Sequence, residues 1–162
     1  MRIAVLSDTH DNIWKIEAAA PYLQQAEVVL HCGDLCSPFV IKHLVQAIGE
    51  RALHVVWGNN DGDTYAIGRV ASAYPGVTIH GMLARLELGG VSIALNHYPE
   101  IAHDLARSGQ YRLVCYGHDH TLHQSEIDGC LLLNPGEMMG LNGRSTLALV
   151  DLPGLAVEIV EL

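Results

Sequence analysis

The sequence predicts an α/β fold, a four-layer αββα sandwich in which two mixed β-sheets pack face to face between outer helices. The first half of the chain alternates short apolar runs with segments of helical periodicity. The second half contains closely spaced short strands separated by turn dipeptides, and neither a repeat nor a linker separates the halves. A chain of 162 residues has the length of one domain, so we expect residues 1–162 to form a single domain.

Strands and helices alternate in the first half, which predicts parallel strands joined by right-handed crossovers. We expect strands at Arg2–Ser7, Glu27–His31 and Ala52–Trp57, and helices at Asn12–Gln25, Ser37–Gly49 and Asp63–Ala73. Asp11 or Asn12 is the candidate N-cap of the first helix, which Pro21 interrupts or bends. Ser37 is the candidate cap of the second helix, with Pro38 in its first position.

The second half is predicted to be mostly antiparallel, because two of its strand pairs are joined by hairpin signals, Gly89-Gly90 and Asp128-Gly129. We expect a helix at Pro99–Ser108 and strands at Leu83–Leu88, Val91–Asn96, Leu113–Tyr116, His123–Ile127, Cys130–Asn134, Ser145–Asp151 and Ala156–Val160. Packing this half against the parallel half gives the two facing sheets.

Composition excludes several classes of protein. Apolar residues make up 49% of the chain and charged residues 17%, which is too apolar for a disordered chain. The net charge is −9 and the nine basic residues are scattered from Arg2 to Arg144, which argues against binding of long nucleic acid but not of a small phosphate compound. The N-terminal apolar run has four residues, and no run approaches the roughly 20 that span a bilayer, so we expect a cytoplasmic protein without a membrane segment.

Histidine is the unusual residue in this composition, and ten histidines direct attention to metal binding. Cysteine is not expected to supply the ligands. The only close pair, Cys32 and Cys36, has C-x3-C spacing rather than the C-x2-C spacing of zinc sites. All four cysteines are therefore expected to be small buried apolar residues of a reducing compartment.

Polar clusters follow directly after five of the predicted strands. They are Ser7–His10, His31–Asp34, Gly58–Asp61, Asn96-His97 and Gly117–His120. Three of them end consecutive parallel strands, and ligands bind at that edge of a parallel sheet. Taken singly, most of these clusters are typical of a turn or a helix cap. In the D-x-H pair the two side chains would lie on one side of an extended backbone, which suits one metal ion.

The five clusters have the order D-x-H, G-D, G-N-x-D, H and G-H-x-H, and in this order and spacing the chain resembles the calcineurin-like metallophosphoesterases. Within that family it is similar to the small single-domain bacterial and archaeal phosphodiesterases. The resemblance covers essentially the whole chain, including Asn134-Pro135-Gly136 and Arg144 in the last loop. It implies a hydrolase that cleaves phosphoric esters with two divalent transition-metal ions. Manganese is favoured, with iron, zinc, nickel or cobalt as alternatives.

The resemblance also implies roles for individual residues. The implied metal ligands are Asp8, His10 and His120 on the first ion, Asn59, His97 and His118 on the second, and Asp34 bridging both. The implied catalytic residues are Asp34, Asn59, Asn60 and His97. Imidazole and oxygen ligands suit first-row transition metals, and two divalent ions outweigh the two carboxylates, which leaves a positive centre for phosphate. The expected reaction is in-line attack of a metal-bound hydroxide on a small phosphodiester. A homodimer or higher homo-oligomer is one expected state, because small relatives often associate.

Two residues depart from the family pattern. Asn60 stands where many members have a histidine that donates a proton to the leaving group, and an amide cannot act as a general acid. We therefore expect a preference for phosphodiesters, or for esters with good leaving groups, over alkyl phosphomonoesters. Glu137 stands where related chains often have serine, and a carboxylate bordering the site would repel an anionic substrate. His31 is expected to orient a ligand, and Asp61 and Asp119 to act as orienting residues or caps.

One alternative function stays open, a protein-interaction scaffold on the same fold, as in an endosomal coat subunit of the family that has lost hydrolysis. A scaffold predicts erosion of the ligand positions, whereas all seven carry residues able to bind metal. A nuclease would use the same metals, but sparse basic residues favour small substrates. A di-zinc hydrolase of the H-x-H-x-D-H type is excluded, because Leu122 occupies the position of the required aspartate.

Overall fold

The computed structural model describes residues 1–162, with eleven strands and four helices. The first half contains β1 (Arg2–Leu6), α1 (Ile13–Leu23), β2 (Val28–His31), α2 (Phe39–Ile48), β3 (Ala52–Val55), α3 (Thr64–Ala71) and β4 (Val77–Ile79). The second half contains β5 (Leu83–Leu88), β6 (Val91–Asn96), α4 (Pro99–Arg107), β7 (Leu113–Cys115), β8 (His123–Ile127), β9 (Cys130–Asn134), β10 (Thr146–Asp151) and β11 (Ala156–Glu161). None of the helices is long and apolar enough to cross a bilayer.

The strands form two mixed sheets. The first has the order β11-β10-β1-β2-β3-β4, in which β1 to β4 are parallel and β10 and β11 are antiparallel to their neighbours. The second has the order β5-β6-β7-β9-β8. The chain returns to the first sheet at its end, where Asp151 of β10 pairs with Arg2 of β1.

Three apolar cores separate four layers. Alternate residues of β1 show the arrangement: Ala4 and Leu6 pack with α1, α2 and α3, whereas Ile3 and Val5 pack between the two sheets. The third core lies between the outer face of the second sheet and α4, where Ala102 is fully buried. Strands covered on both faces read as continuous apolar runs, which is why they were visible in the sequence. The predicted four-layer αββα sandwich is confirmed.

The two hairpins are confirmed, and Leu88 pairs with Val91 across the Gly89-Gly90 turn. The short edge strand β4 was not predicted. The second half is mostly antiparallel as predicted, but β6 pairs with β7 and β7 with β9 in parallel, so the second sheet is mixed. For β6 and β7 the physical reason is α4, which crosses over between them and so returns the chain in the same direction.

The helix starts differ in part from the prediction. Asn12 caps α1, since its side-chain oxygen accepts a hydrogen bond from the Lys15 N–H at 3.2 Å. The helix runs through Pro21 to Leu23 without interruption. Ser37 does not cap α2; its hydroxyl donates instead to Asp11 Oδ2 at 2.8 Å and ties together the loops after β1 and β2.

Candidate metal centre

The polar clusters that follow five strands meet at one place between the two sheets. Loops after β1, β2 and β3 come from the first sheet, and loops after β6 and β7 come from the second. The structure brings together all seven side chains implied as metal ligands: Asp8, His10, Asp34, Asn59, His97, His118 and His120. Asp8, Asp34 and His97 are buried at the bottom of the centre, while Asn59 and His118 are exposed. The centre therefore opens to solvent on one side.

A first group of ligand atoms surrounds Asp8. Its Oδ1 lies 3.3 Å from His120 Nε2 and 3.7 Å from His10 Nε2. Asp8 Oδ1 and His10 Nε2 are both buried and have no hydrogen-bond partner. Leaving buried polar atoms unpaired is costly, and a cation between these three side chains would satisfy them. The first group therefore fits a divalent metal ion.

A second group surrounds Asn59. Its Oδ1 lies 3.0 Å from His97 Nε2 and 2.8 Å from His118 Nδ1. Asp34 stands between the two groups, because its Oδ2 is 3.5 Å from His97 Nε2 and 3.4 Å from His10 Nε2. Carboxylate, amide and imidazole donors in this mixture suit first-row transition metals. The second group also fits a divalent ion, and Asp34 lies beside both ligand groups.

The backbone at the centre is unusual. Five of the seven residues have positive φ angles: Asp8 (54°), His10 (39°), Asp34 (60°), His118 (77°) and His120 (57°). The extended backbone assumed for the D-x-H pair is therefore wrong, although its two side chains do converge. Left-handed backbone at such residues costs about 1–3 kcal/mol each and persists where the surroundings enforce it, as at functional sites.

Two glycines allow the loops to approach the carboxylates. A Cβ atom at Gly58 would overlap Asp34 Oδ1, and one at Gly117 would overlap the Ser7 hydroxyl and press on Asp8. Each glycine directly precedes an implied ligand, Asn59 or His118. The glycine in each motif is therefore a packing requirement of the centre.

The sequence family follows from comparison with known proteins. The model of the calcineurin-like phosphoesterase superfamily domain matches residues 1–154. This chain belongs to the calcineurin-like phosphoesterase superfamily. The predicted enzyme class, a hydrolase acting on phosphoric ester bonds, is confirmed with it, and the family is metal-dependent.

Three similar proteins illustrate the range of the phosphoesterase fold. A phosphodiesterase of Methanocaldococcus jannaschii is 31% identical over 156 residues, covering 93% of each chain. A solved archaeal phosphodiesterase superposes with a TM-score of 0.92 at 29% identity, covering 100% of both chains. Wild-type Vps29 of Entamoeba histolytica, solved in complex with zinc, has a TM-score of 0.66 at 18% identity and covers 100% of this chain and 98% of its own. At that identity the last likeness concerns the fold alone.

Asp61 organises the phosphoesterase centre without entering either ligand group. Its buried carboxylate accepts hydrogen bonds from four backbone N–H groups, those of Asp34, Leu35, Cys36 and Gly58, at 2.7–3.1 Å. It therefore joins the loop that carries Asp34 to the loop that carries Asn59. This agrees with the orienting role expected from the sequence; Asp63, not Asp61, caps α3.

Two other expected orienting residues hold loops in place. His31 is fully buried, and its Nδ1 accepts from the Gly33 N–H at 3.1 Å, so the proton lies on Nε2 and donates to Thr9 Oγ1 at 3.2 Å. Burial lowers the pKa of His31 to about 4, so the ring is neutral at pH 7. Asp119 accepts from Asn134 Nδ2 at 2.7 Å and steadies the loop between His118 and His120.

The two carboxylates of the phosphoesterase centre are held ionised. Burial opposes ionisation of Asp34, but the neighbouring His97 and the hydrogen bonds from Asn60 outweigh it and lower the pKa of this carboxyl. Burial likewise opposes ionisation of Asp8, and its contacts with polar neighbours, His10 foremost, lower its pKa. Both groups are therefore ready to bind cations at neutral pH.

Glu137 of the phosphoesterase is turned toward an implied metal ligand. Its carboxylate is 2% exposed and its Oε2 contacts His120 Nδ1 at 2.5 Å. The carboxylate is therefore turned toward an implied ligand, and the expected repulsion of an anionic substrate stays a prediction. A cavity of about 370 Å³ lies beside this pair, and the exposed Arg144 on its wall is paired with Glu161 at 2.8 Å.

Sequence reasoning missed two residues that contact the implied ligands. The ring of Tyr98 packs against both His97 and His118, with centroids 5.2 Å away in each case. Cys36 Sγ lies 3.4 Å from His10 Nδ1. Proximity in the sequence to His97 and Asp34 was the only signal for either residue, and a buried apolar role was expected for Cys36.

Proposed function

We propose that this phosphoesterase hydrolyses small phosphodiesters at a centre of two divalent transition-metal ions. The observation that carries the proposal is the place of Asp34, whose Oδ2 lies 3.4 Å from His10 and 3.5 Å from His97. One carboxylate oxygen that faces both ligand groups suits a bridge between two ions. The first ion would be held by Asp8, His10, Asp34 and His120, and the second by Asp34, Asn59, His97 and His118.

When bound, two such ions supply the Lewis acidity that polarises a phosphate and activates water for in-line attack at phosphorus. The chain supplies the geometry. His97 donates from Nδ1 to the Cys32 carbonyl at 2.7 Å, which leaves Nε2 free to act as a ligand. Asn59 and Asn60 are exposed at the solvent side of the centre, so a substrate phosphate can approach from their side.

The preference for diesters rests on Asn60. Its side chain has no titratable proton, and its Nδ2 already donates to Asp34 Oδ2 at 2.7 Å. A leaving alcohol at this position receives no proton from residue 60, which favours esters with good leaving groups over alkyl monoesters. The M. jannaschii relative is named a phosphodiesterase, and the net charge of −9 with scattered basic residues supports small substrates. Manganese as the metal and a cytoplasmic location stay predictions from the sequence.

A panel of chromogenic substrates tests the proposal. Bis-p-nitrophenyl phosphate and p-nitrophenyl phosphate are offered to the metal-stripped protein after addition of Mn²⁺, in parallel with Asp34→Asn. We expect metal-dependent cleavage that favours the diester and falls at least about 100-fold in the variant, since losing a ligand costs more than losing its supporting contact. Asp128→Asn is the matched control, because Asp128 is exposed on a hairpin turn with φ of 50°, which asparagine tolerates.

The same panel separates the enzyme from the alternative, a protein-interaction scaffold. The scaffold alternative is not decided by the fold, because one fold can host unrelated functions. It predicts no turnover with any metal and no effect of Asp34→Asn. Equal turnover by the parent and by Asp34→Asn would instead overturn the bridging role of Asp34.

A further inference from the structure

Glu137 is the only carboxylate that contacts the outer nitrogen of an implied histidine ligand. The His120 ring lies between two acids: Nδ1 faces Glu137 Oε2 at 2.5 Å, and Nε2 faces Asp8 Oδ1 at 3.3 Å. With the proton on Nδ1 donated to Glu137, Nε2 presents its lone pair to the first ligand group. The Glu137 carboxylate therefore fixes both the tautomer and the orientation of this ring.

Both oxygens of the Glu137 carboxylate are occupied. Oε1 accepts a hydrogen bond from the Asn142 N–H at 2.5 Å, and His120 is its only ion-pair partner. The backbone is fixed as well, since the Thr146 N–H donates to the Glu137 carbonyl at 2.9 Å. A buried carboxylate needs compensation, and here that compensation is a histidine that faces the metal centre.

The other histidines of the centre have weaker partners. His97 Nδ1 donates to the neutral carbonyl of Cys32, and His10 Nδ1 faces the sulfur of Cys36 at 3.4 Å. His118 turns its Nδ1 inward to Asn59. A carboxylate behind an imidazole raises its basicity as a ligand more than a carbonyl does, so His120 is the strongest histidine donor of the set.

We propose that Glu137 is a positioning residue which acts through His120 and makes the first ion position, that of Asp8, His10 and His120, the tighter of the two. The inference rests on the proposed two-ion centre and adds that its two ion positions differ in affinity. It also gives a role to a residue whose place in the sequence pointed to substrate repulsion. Its effect falls on one ion position, because Glu137 touches no side chain of the second group.

Metal binding, measured without turnover, tests the role of Glu137. Metal-stripped protein is titrated with Mn²⁺ and the bound metal is counted after equilibrium dialysis, while electron paramagnetic resonance separates a coupled Mn²⁺ pair from single ions. We expect two sites in the parent. In Glu137→Gln one of them should weaken by about 10–100-fold, with the other changed less than about threefold. Glu126→Gln, an exposed carboxylate on β8, should bind like the parent.

Glutamine separates positioning of His120 from a merely structural role. It keeps an oxygen for the Asn142 N–H but removes the negative charge behind His120. If Glu137 only anchors its loop, Glu137→Gln binds both ions as the parent does, and the proposal is overturned. In a His120→Ala background, Glu137→Gln should change the Mn²⁺ affinity less than about twofold, because Glu137 then has no imidazole through which to act.

The outcomes distinguish this inference from the function on which it rests. A parent protein that binds no Mn²⁺ contradicts the two-ion centre itself. A parent that binds two ions, with Glu137→Gln equally tight at both, contradicts only the role of Glu137. Glu137→Ser carries the same comparison if the glutamine variant does not fold, because it also removes the negative charge behind His120.

Discussion

Asn60 holds the carboxylate of Asp34 with two hydrogen bonds. Its backbone N–H donates to Oδ1 and its side-chain Nδ2 donates to Oδ2, both at 2.7 Å. The residue that stands in place of the family histidine therefore faces the implied bridging ligand. The side-chain amide of Asn60 therefore donates its hydrogen bond to Asp34.

Asn60→His should restore a proton donor next to the centre. The side chain is exposed, so an imidazole has room, and general acid catalysis is worth about 100-fold or more where the leaving group is poor. We expect the ratio of alkyl monoester to diester turnover, measured as kcat/KM with Mn²⁺, to rise at least about tenfold. An unchanged ratio would remove Asn60 as the cause of diester preference.

Gly58→Ala should damage the centre through packing alone. The new Cβ would overlap Asp34 Oδ1, so the free energy of unfolding should fall by about 1–3 kcal/mol, and Mn²⁺ should bind more weakly. Urea unfolding of metal-stripped protein measures the first effect and dialysis the second. Gly62→Ala in the same loop is the control, because a methyl group there would have no atom within 4 Å. Its free energy of unfolding should equal that of the parent. Equal effects at both positions would refute the packing explanation.

Asp61→Asn should destabilise the protein through four hydrogen bonds at once. An amide keeps one oxygen acceptor and turns an N–H₂ donor toward backbone donors, so we expect a loss of about 3 kcal/mol in the free energy of unfolding. Asp63→Asn is matched chemically, since asparagine caps α3 as well as aspartate does. Comparable urea midpoints for the two variants would argue against the role of Asp61.

His31 should make stability depend on pH. Its pKa of about 4 in the folded chain lies below the ordinary value of 6.5, so unfolding takes up a proton between those values and stability falls as the pH drops. From pH 7 to pH 5 the loss from this group is about 2 kcal/mol. Urea unfolding of the metal-stripped parent and of His31→Asn, compared at each pH, measures the contribution of His31. The difference between their free energies of unfolding should shrink toward pH 5. Parallel pH curves would show that His31 does not titrate in this way.

The clustering of these side chains could be predicted because each follows a strand, and strand ends of both sheets meet at one edge, whereas their roles as ligands are implied by the family resemblance. His97 and His118 are examples, one residue after β6 and three after β7. What could not be predicted depends on contacts between distant segments. The positive φ of Asp8 is enforced by neighbours that sequence periodicity does not report, including the Asp8 N–H bond to the Gly33 carbonyl at 3.0 Å.

The direction in which the Glu137 side chain turns could not be predicted from the sequence either. The sequence places it 17 residues from His120 along the chain, and nothing in its local pattern says which way a loop carboxylate will turn. Hydrogen bonds from the Met138 and Met139 N–H groups to the Ser7 and Asp8 carbonyls fix the loop, and with it the 2.5 Å contact to His120. The sequence pattern indicated that the residue lies near the centre but did not identify His120 as its partner.

The proposed chemistry depends on two adjacent cations in one cage, and anomalous diffraction from a crystal soaked in Mn²⁺ would locate them. We expect two peaks about 3.5–4 Å apart, with Asp34 in contact with both. One peak should lie among Asp8, His10 and His120, and the other among Asn59, His97 and His118. A single peak, or peaks away from Asp34, would rule out the two-ion centre.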